Sequence, residues 1–149
     1  MSNILSSQNQ KSQTNPKEKS FYKLFKRNVP EGWFIRRVED IYAGFPDILL
    51  STPTGVIQQL ELKVVTGGGK VKLSPNQVVY LTKMGALNAP VYCLVRFIDN
   101  KTLRESDWRL FHGSKAVSLK LHGLTKTEPD LLIADKNYAK LFDFLSRDT

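Results

Sequence analysis

Two acidic side chains and one amine stand in the sequence at a spacing that can bring them together. Asp47 follows Pro46 at the start of one apolar run, and Glu61 and Lys63 stand two residues apart in the next. Because side chains alternate along a β-strand, Glu61 and Lys63 project from one face while Leu62 projects from the other, toward a core. If the two runs pair as a hairpin, Asp47 faces Glu61 across the pair.

Such an arrangement favours a bound metal ion and hydrolytic chemistry. Two carboxylates held close together repel one another, and a divalent cation relieves that repulsion better than a neutral partner does. Oxygen ligands suit Mg²⁺ or Mn²⁺, which bind through one or two carboxylates plus a substrate phosphate. Lys63 would orient the attacking water or neutralise charge on the scissile phosphate. Together these groups predict the hydrolysis of a phosphodiester bond.

The hairpin that must position these groups is predicted from the local sequence. The segment Val56–Val65 is rich in Val, Ile and Leu and follows the turn signal at 51–55, which is typical of an inner strand. The preceding run at 47–51 is its natural partner. Pro46 stands just before that run, where a missing amide donor does little damage.

Periodicity and capping signals predict the remaining elements. We expect helices at Pro16 to about Asn28, Pro75 to about Leu87 and about Lys136 to Ser146, with strands at Trp33 to Glu39, Val91 to Phe97 and a short edge strand at Trp108 to Phe111. Leu141, Phe142 and Leu145 would anchor the last helix to the core.

Several further motifs stand around the hairpin in a recognisable order. They are Glu18 on the first helix, Arg37-Val38-Glu39, Gly44-Phe45-Pro46-Asp47, Glu61-Leu62-Lys63 and Ser74-Pro75-Asn76-Gln77. This order resembles the PD-(D/E)xK nuclease superfamily, which has a Pro-Asp at a strand start and a Glu-x-Lys on the next strand. Within it, roughly residues 17 to 97 look similar to phage and VRR-NUC-type enzymes related to Holliday junction resolvases.

The resemblance implies a fold and a cofactor. It implies an α/β fold with a central mixed β-sheet flanked by helices, a restriction-endonuclease-like core in αβββαβ order. It also implies a Mg²⁺ or Mn²⁺ ion bound by Asp47, Glu61 and the backbone carbonyl of Leu62, with DNA as substrate. Lys63, Gln77 and Glu18 would complete the catalytic set, Glu18 as a candidate additional metal ligand.

Gln77 also has a purely structural interpretation. Ser74 and Gln77 have the spacing of a capping box, and Pro75 occupies the first helical position. Both residues could simply begin the helix. The active-site role and the capping role of Gln77 therefore remain open.

Glu18 likewise has two interpretations. It stands three residues after Asn15, which is a candidate N-cap residue. It also shares a helical face with Phe21, Tyr22 and Phe25, so its carboxylate would point inward and need a partner. Auxiliary metal binding is one such partnership, and Glu39 near the end of the first strand is a further candidate for it.

The three central residues also have an ordinary alternative. Asp47 could be a turn residue after proline, and Glu61 with Lys63 could form a surface ion pair on a solvent-facing strand edge. A second Pro-Asp, at Pro129-Asp130, precedes another apolar run, but no Glu-x-Lys follows it. We leave that second Pro-Asp out of the predicted site.

Composition indicates one globular unit with a polyanionic partner. The chain has 149 residues, 41% of them hydrophobic, and a formal net charge of +8. We expect a disordered N-terminal tail over residues 1–14, where Ser, Gln, Asn and Lys dominate, and one nuclease domain over residues 15–149. The positive charge favours nucleic acid as a partner without choosing DNA over RNA.

Other side chains exclude some classes of site. The single cysteine, Cys93, lies in an apolar run and excludes a disulfide framework within the chain, which fits a small core residue and a reducing compartment. His112 and His122 have no partners at zinc-like spacing. We see neither a membrane-spanning stretch nor a signal peptide, so we expect a cytoplasmic protein without a membrane partner, in the host cytoplasm if phage-encoded.

The loop after Lys63 carries glycines and lysines. Gly67, Gly68 and Gly69 would let the backbone approach a phosphate, and Lys70 and Lys72 would supply charge. A flexible connection from strand to helix explains the same residues equally well. Lys70 and Lys72 are therefore weak candidates for DNA binding.

The leading hypothesis is a metal-dependent DNA endonuclease, selective for branched or junction DNA. A flap or restriction-type nuclease is an alternative within the enzyme class. A DNA-binding protein with a nuclease fold but no cleavage activity is the alternative outside it. The junction hypothesis implies a homodimer, because two symmetric incisions need two sites related by a two-fold axis.

Overall fold

The computed structural model describes residues 16–38 and 43–147. Glu39 and the predicted disordered tail at 1–14 lie outside these described residues. The helices are α1 (Pro16–Asn28), α2 (Pro75–Ala86), α3 (Ala116–His122) and α4 (Tyr138–Arg147), with a 3-10 turn at Gly113–Lys115. The strands are β1 (Phe34–Arg37), β2 (Ile48–Ser51), β3 (Ile57–Thr66), β4 (Val91–Ile98), β5 (Glu105–His112) and β6 (Leu131–Ala134).

The strands form one mixed sheet. Its six described strands lie in the order β1-β2-β3-β4-β5-β6, and neighbours are antiparallel except for the parallel pair β3 and β4. A parallel pair needs a long crossover, which α2 supplies between β3 and β4. The predicted α/β fold with a mixed sheet and flanking helices is confirmed, and the first six elements follow the predicted αβββαβ order.

Apolar side chains pack on both faces of the sheet, because successive side chains of the inner strands point to opposite faces. On one face, Leu60 and Leu62 belong to a cluster with Phe21 and Phe25 of α1, and the anchoring residues of α4 belong to it too. On the other face, Val65 belongs to a cluster with residues of α2 and α3. Apolar clusters on both sides therefore hold β3 in place, and β3 is the strand that carries Glu61 and Lys63.

The far side of the sheet differs from the prediction. The expected short edge strand at 108–111 is wrong, because β5 is longer and β6 covers its outer edge. The charged residues in the first half of this strand are paired, Glu105 with Arg96 and Asp107 with Arg109. The last helix begins at Tyr138, after Asp135 and Lys136, whose φ angles of 55° and 58° are not helical. No described helix has the length and apolar character needed to cross a membrane.

Beyond Leu60, the side of β3 that faces β2 is no longer paired with that strand, and we call this stretch of β3 the notch. Pairing between β2 and β3 runs from Ser51 opposite Ile57 to Ile48 opposite Leu60 and ends there. Beyond that point β3 continues to Thr66 with β4 on its other side. The first turn of α1 lies against this stretch, where the Lys17 Nζ donates a hydrogen bond to the Thr66 hydroxyl at 3.2 Å.

Candidate active site

Asp47 lies where the ladder between β2 and β3 ends. Ile48 pairs with Leu60, so the next residue in each direction, Asp47 and Glu61, stand opposite one another. One carboxylate oxygen of Asp47, Oδ2, accepts a hydrogen bond from the backbone N–H of Leu62 at 2.9 Å. The carboxylate thus takes the place of a backbone acceptor and is held at the notch. The predicted pairing of the 47–51 run with the next strand is confirmed.

Glu61 is buried directly beside Asp47. Only 2% of its surface is exposed, and its side chain is hydrogen-bonded to that of Asp47. Burial raises the pKa of Glu61 well above its ordinary 4.5, the negative charge of Asp47 raises it further, and Lys63 opposes the shift. In the absence of a cation, Glu61 therefore tends to keep a proton.

Lys63 joins two acidic groups from different elements. Its Nζ lies 3.8 Å from Glu61 Oε2 and 3.7 Å from Glu18 Oε1. Burial alone would lower the pKa of Lys63, but the attraction of Glu61 and then Glu18 outweighs it and raises the pKa above its ordinary 10.5. The amine is therefore a buried ammonium, and the alternative of a surface ion pair is wrong for a lysine that is only 9% exposed.

Glu18 reaches the site from α1. Its helical neighbours Phe21 and Phe25 are fully buried, as the shared face predicted, and this burial directs Glu18 toward the sheet. Burial raises the pKa of Glu18, while the adjacent Lys63 ammonium opposes that rise. The observed partner of Glu18 is thus Lys63, and its role as a metal ligand stays a prediction.

Gln77 occupies a helix cap. The Ser74 hydroxyl accepts a hydrogen bond from the Gln77 N–H at 3.1 Å, and Gln77 Oε1 accepts one from the Ser74 N–H at 2.9 Å. This is the reciprocal capping box that the spacing indicated, with proline in the first turn. No hydrogen bond in the described part of the chain joins Gln77 to the carboxylates, so its catalytic role stays a prediction.

The loop before Asp47 is fixed to α2 by contacts that the sequence did not indicate. Gly44 has a φ of +90°, and a Cβ placed there would stand 2.4 Å from the carbonyl oxygen of Asn76. Any other residue would push the loop off the helix. The contact with α2 thus fixes the position of the loop from which the chain enters β2.

An aromatic contact completes this attachment. The rings of Phe45 and Tyr80 lie 5.3 Å apart, and the Tyr80 hydroxyl donates a hydrogen bond to Gln59 Oε1. Gln59 shares a strand face with Glu61 and Lys63, and this shared face is the feature of the sequence that could have pointed to the contact. Loop, helix and strand are therefore joined within two residues of Asp47 and of Glu61.

Cys93 forms part of the apolar wall behind the carboxylates. It pairs with Glu61 in the β3–β4 register, and its side chain is buried. Burial raises the pKa of its thiol, so the sulfur is a neutral group at ordinary pH. The predicted role of Cys93 as a small core residue is confirmed.

The donor groups at the notch fit a hard divalent cation. In an extended strand the N–H and C=O of one residue point to the same edge, so the Leu62 carbonyl points toward the edge where Asp47 lies. Two touching carboxylates and a carbonyl are oxygen donors of the kind Mg²⁺ and Mn²⁺ prefer. Across residues 16–38 and 43–147, no group of three Asp, Glu, His or Cys side chains is arranged to hold a metal ion alone. Such an ion would therefore take its remaining ligands from the backbone, water and substrate.

The remaining predicted residues lie outside this cluster. Lys70 and Lys72 are exposed in the loop that follows β3. Arg37, from the Arg-x-Glu motif, lies with its guanidinium 5.0 Å from the ring centre of Tyr22. Glu39 of the same motif is not among the described residues.

Comparisons with known proteins give a distant structural similarity. No family model matches the chain, and no curated protein matches it. Among solved structures, it is similar to Hjc, a Holliday junction resolvase from the archaeal hyperthermophile Archaeoglobus fulgidus, at 19% sequence identity and a TM-score of 0.47. The match covers 87% of this chain and 96% of that one. The case for a function therefore depends on the side chains at the notch.

Proposed function

We propose that this protein is a metal-dependent endonuclease that hydrolyses phosphodiester bonds in DNA. The observation that carries the proposal is that Glu61, which is buried, and Asp47, which is half-buried, face one another at the end of the β2–β3 ladder, with the Lys63 ammonium beside them. A protein under selection for stability alone has no use for a second carboxylate beside a buried one.

Charge at the cluster favours the recruitment of a cation. Three carboxylates, those of Glu18, Asp47 and Glu61, surround a single ammonium, that of Lys63. The excess negative charge lies in a place where burial weakens solvent screening. A divalent cation would replace the proton that the acid pair otherwise retains.

The side chains have separable roles in hydrolysis. Asp47, Glu61 and the Leu62 carbonyl would hold Mg²⁺ or Mn²⁺, which when bound supplies an activated water and polarises the phosphate. Lys63 places a fixed positive charge beside the acid pair, where charge develops on the phosphate oxygens. Glu18 forms a second ion pair with Lys63, which helps to orient the ammonium before substrate arrives.

Branched or junction DNA is the proposed substrate, processed in a phage-type pathway in the cytoplasm. Support for this finer proposal comes from the order of the motifs around the hairpin, which resembles that of the VRR-NUC-type branch of the PD-(D/E)xK superfamily. The net charge of +8 suits any polyanion and does not discriminate among DNA structures.

A substrate panel tests the proposal. Labelled duplex, single-stranded, flap and four-way DNA are incubated with the protein under Mg²⁺, Mn²⁺ or a chelator. We expect incision that requires the metal and is fastest on the branched substrates. Binding to all substrates without incision under either metal would replace the enzyme by the DNA-binding alternative, and preferred cutting of flaps would replace the junction by the flap assignment.

Oligomeric state provides an independent test of the junction assignment. Light scattering with and without four-way DNA should detect a homodimer in at least one of the two conditions, because paired incisions need paired sites. A monomer in both would remove the junction assignment while leaving the nuclease assignment in place.

A further inference from the structure

The loop that leaves the catalytic strand has an unusual backbone. Gly67, Gly68 and Gly69 follow the last residue of β3 and have φ angles of 64°, 40° and 75°. Residues with a side chain rarely adopt such angles, so the run of three glycines is what allows this loop shape. The loop leads from the site to Lys70 and Lys72.

Two neighbouring loops hold the outer glycines in place. A Cβ on Gly67 would stand 2.8 Å from the side chain of Asn100, in the turn between β4 and β5. On the other side, the Gly69 carbonyl oxygen accepts a hydrogen bond from the Leu124 N–H at 2.5 Å, and a Cβ on Gly123 would stand 2.8 Å from the same oxygen. The shape of the loop is thus fixed by packing, so it is not merely a flexible connection.

Gly68 differs from its two neighbours. It is exposed, and a Cβ placed on it would meet nothing within 4 Å. In the described part of the chain its N–H has no hydrogen-bond acceptor. Packing therefore explains the outer glycines but leaves the middle of the loop open to solvent, where a ligand can approach the backbone.

Each of the three loops that meet here carries lysines next to the contacting residues. Lys70 and Lys72 follow Gly69 directly, Lys101 follows Asn100, and Lys126 stands two residues after Leu124. All four lysines are exposed, and none forms an ion pair with any residue the structure describes.

The acidic residue nearest in sequence to Lys101 is already engaged. The carboxylate of Asp99 accepts hydrogen bonds from the Lys101 N–H at 3.1 Å and from the Thr102 hydroxyl at 3.0 Å. It organises its own turn, and the Lys101 ammonium has no carboxylate partner within residues 16–38 and 43–147. The positive charge at this end of the sheet is therefore available to an external anion.

The separation from the active site suits a nucleic-acid backbone. Gly67 lies four residues beyond Lys63 along an extended strand, which corresponds to about 13 Å. That distance is close to the rise of about four base pairs of duplex DNA. A strand whose scissile phosphate lies at Lys63 would thus carry its flanking phosphates past the glycine loop.

We propose that the 66–72 loop, with its neighbours at 99–101 and 123–126, is a binding surface for the DNA phosphate backbone flanking the cleaved bond. The proposal rests on the nuclease function and names where its substrate extends. Lys70, Lys72, Lys101 and Lys126 neutralise phosphates, and the Gly68 N–H approaches one of them directly, as backbone amides do in sequence-independent contacts.

Salt-dependent binding tests this surface without any need for cleavage. Affinity for labelled duplex and four-way DNA is measured by fluorescence anisotropy in a chelator, at salt concentrations between about 50 and 200 mM. Changing all four lysines to glutamine should make the slope of log affinity against log salt shallower by about 3 to 4 units and weaken binding by about 10²-fold.

A matched control removes the same charge elsewhere. Lys23, Lys26, Lys83 and Lys136 are exposed and lie on α1, on α2 and before α4, and none of them belongs to the three loops. Their replacement by glutamine should change the salt slope by less than about one unit. Equal losses for the two sets would overturn the proposal, because binding would then follow net charge alone.

A pair of substitutions at Gly68 tests the open position itself. Asn and Asp both tolerate a positive φ, and the space around Gly68 is empty, so Gly68→Asn and Gly68→Asp should both fold. Gly68→Asp should weaken DNA binding by about ten-fold, because it places a carboxylate against a phosphate, while Gly68→Asn should bind nearly as the parent does. Indistinguishable affinities would exclude a phosphate at this position.

The outcomes separate this proposal from the function on which it rests. If the protein binds DNA through the loop lysines but never cuts, the surface stands and the nuclease function fails. If the protein cuts DNA while the variant with all four loop lysines changed to glutamine keeps the salt slope and the affinity of the parent, the proposed surface fails and the nuclease function stands.

Discussion

The chain contains two Pro-Asp sequences, and each begins a four-residue strand that pairs antiparallel with an inner strand. Pro46-Asp47 precedes β2, which pairs with β3, and Pro129-Asp130 precedes β6, which pairs with β5. The two aspartates share a structural role. Asp47 Oδ2 accepts the Leu62 N–H at 2.9 Å, and Asp130 Oδ2 accepts the His112 N–H at 2.6 Å. Each carboxylate thus accepts a backbone N–H just beyond the last residue pair of its ladder.

The neighbours of the two aspartates differ in charge. On β3 the residue after the last paired Leu60 is Glu61, whereas on β5 the residue after Leu110 is Phe111. Asp130 has Lys115 3.3 Å away and so forms a simple ion pair. The comparison shows that Pro-Asp supplies a held carboxylate in both places, and that a second acid on the inner strand is what creates a candidate metal site.

The largest effect should separate the two aspartates in DNA cleavage. Asp47→Asn keeps an oxygen for the Leu62 N–H but removes the charge, so we expect metal-dependent cleavage to fall by about 10³-fold or more. Asp130→Asn is the matched control and should cut at the parent rate. Initial rates of incision under Mg²⁺ measure both, and similar losses in the two variants would show that the aspartates act through stability.

The two aspartates should also differ in how much their replacement reduces the stabilisation of the fold by a metal ion. A ligand that binds only the folded protein stabilises it, by about 2.7 kcal/mol at a concentration of one hundred times its Kd. Thermal unfolding with added Mg²⁺ or Mn²⁺ should therefore shift upward for the parent and for Asp130→Asn. Asp47→Asn should show little shift, and a full shift in that variant would place the cation elsewhere.

Removing the second acid should sharpen the comparison in the opposite direction. Glu61→Gln abolishes cleavage in our proposal, yet in a chelator it should stabilise the fold by about 0.5–2 kcal/mol, because the acid pair is relieved. Since the pKa of Glu61 is raised above 4.5, the folded protein holds the extra proton and loses stability as pH rises from 4.5 toward the raised value. Denaturant unfolding across that range should show a gain that grows with pH. A gain independent of pH would contradict the assignment.

The structural share of the Pro-Asp role can be measured at the second site. Asp130→Ala removes the acceptor of the His112 N–H and the partner of Lys115, and we expect a loss of about 1 kcal/mol because the site is partly exposed. Chemical denaturation checks the stability, and cleavage should be unchanged. A loss of cleavage without a loss of stability would bring β6 into the active site.

A mild effect on both stability and cleavage should come from the contacts that support Asp47. Tyr80→Phe keeps the ring against Phe45 but removes the hydrogen bond to Gln59, so we expect a cost of about 0.5–1.5 kcal/mol in stability. If Tyr80 positions the loop, kcat should fall a few-fold with KM unchanged. Equal kcat in parent and variant would leave the contact with a structural role alone.

The central part of the site was predictable because it depends on short-range rules. The period of two places Glu61 and Lys63 on one face, and the turn before β3 sets the register that brings Asp47 opposite Glu61. Glu18 was predictable in direction, since its helical face is apolar, although its actual partner Lys63 was not. Both inferences need only one element and its nearest neighbour.

The remainder depends on packing between distant elements. The contact of Tyr80 with Phe45 and Gln59 exists only because α2 crosses the sheet at one height, which no local pattern specifies. The length of β5 was missed for a similar reason, because Glu105 stays in the strand through a partner, Arg96, on β4. The turns that carry Lys101 and Lys126 contact the glycine loop from far along the chain, through Asn100 and Leu124, and the sequence offered no signal for these contacts.

Pro46 explains why the ladder stays open at the acid pair. In the register of β2 and β3, residue 46 falls opposite Leu62, and two such residues normally exchange both of their backbone hydrogen bonds. Proline has no N–H to give, so it leaves the Leu62 oxygen free while the Asp47 side chain takes the Leu62 nitrogen. A residue with an N–H in place of Pro46 could donate a hydrogen bond to the Leu62 carbonyl. The β2–β3 ladder would then extend by one residue pair, and the oxygen that we propose as a metal ligand would be occupied. If the proposed function is right, lengthening this hairpin for thermostability would therefore remove the metal site and with it the cleavage activity.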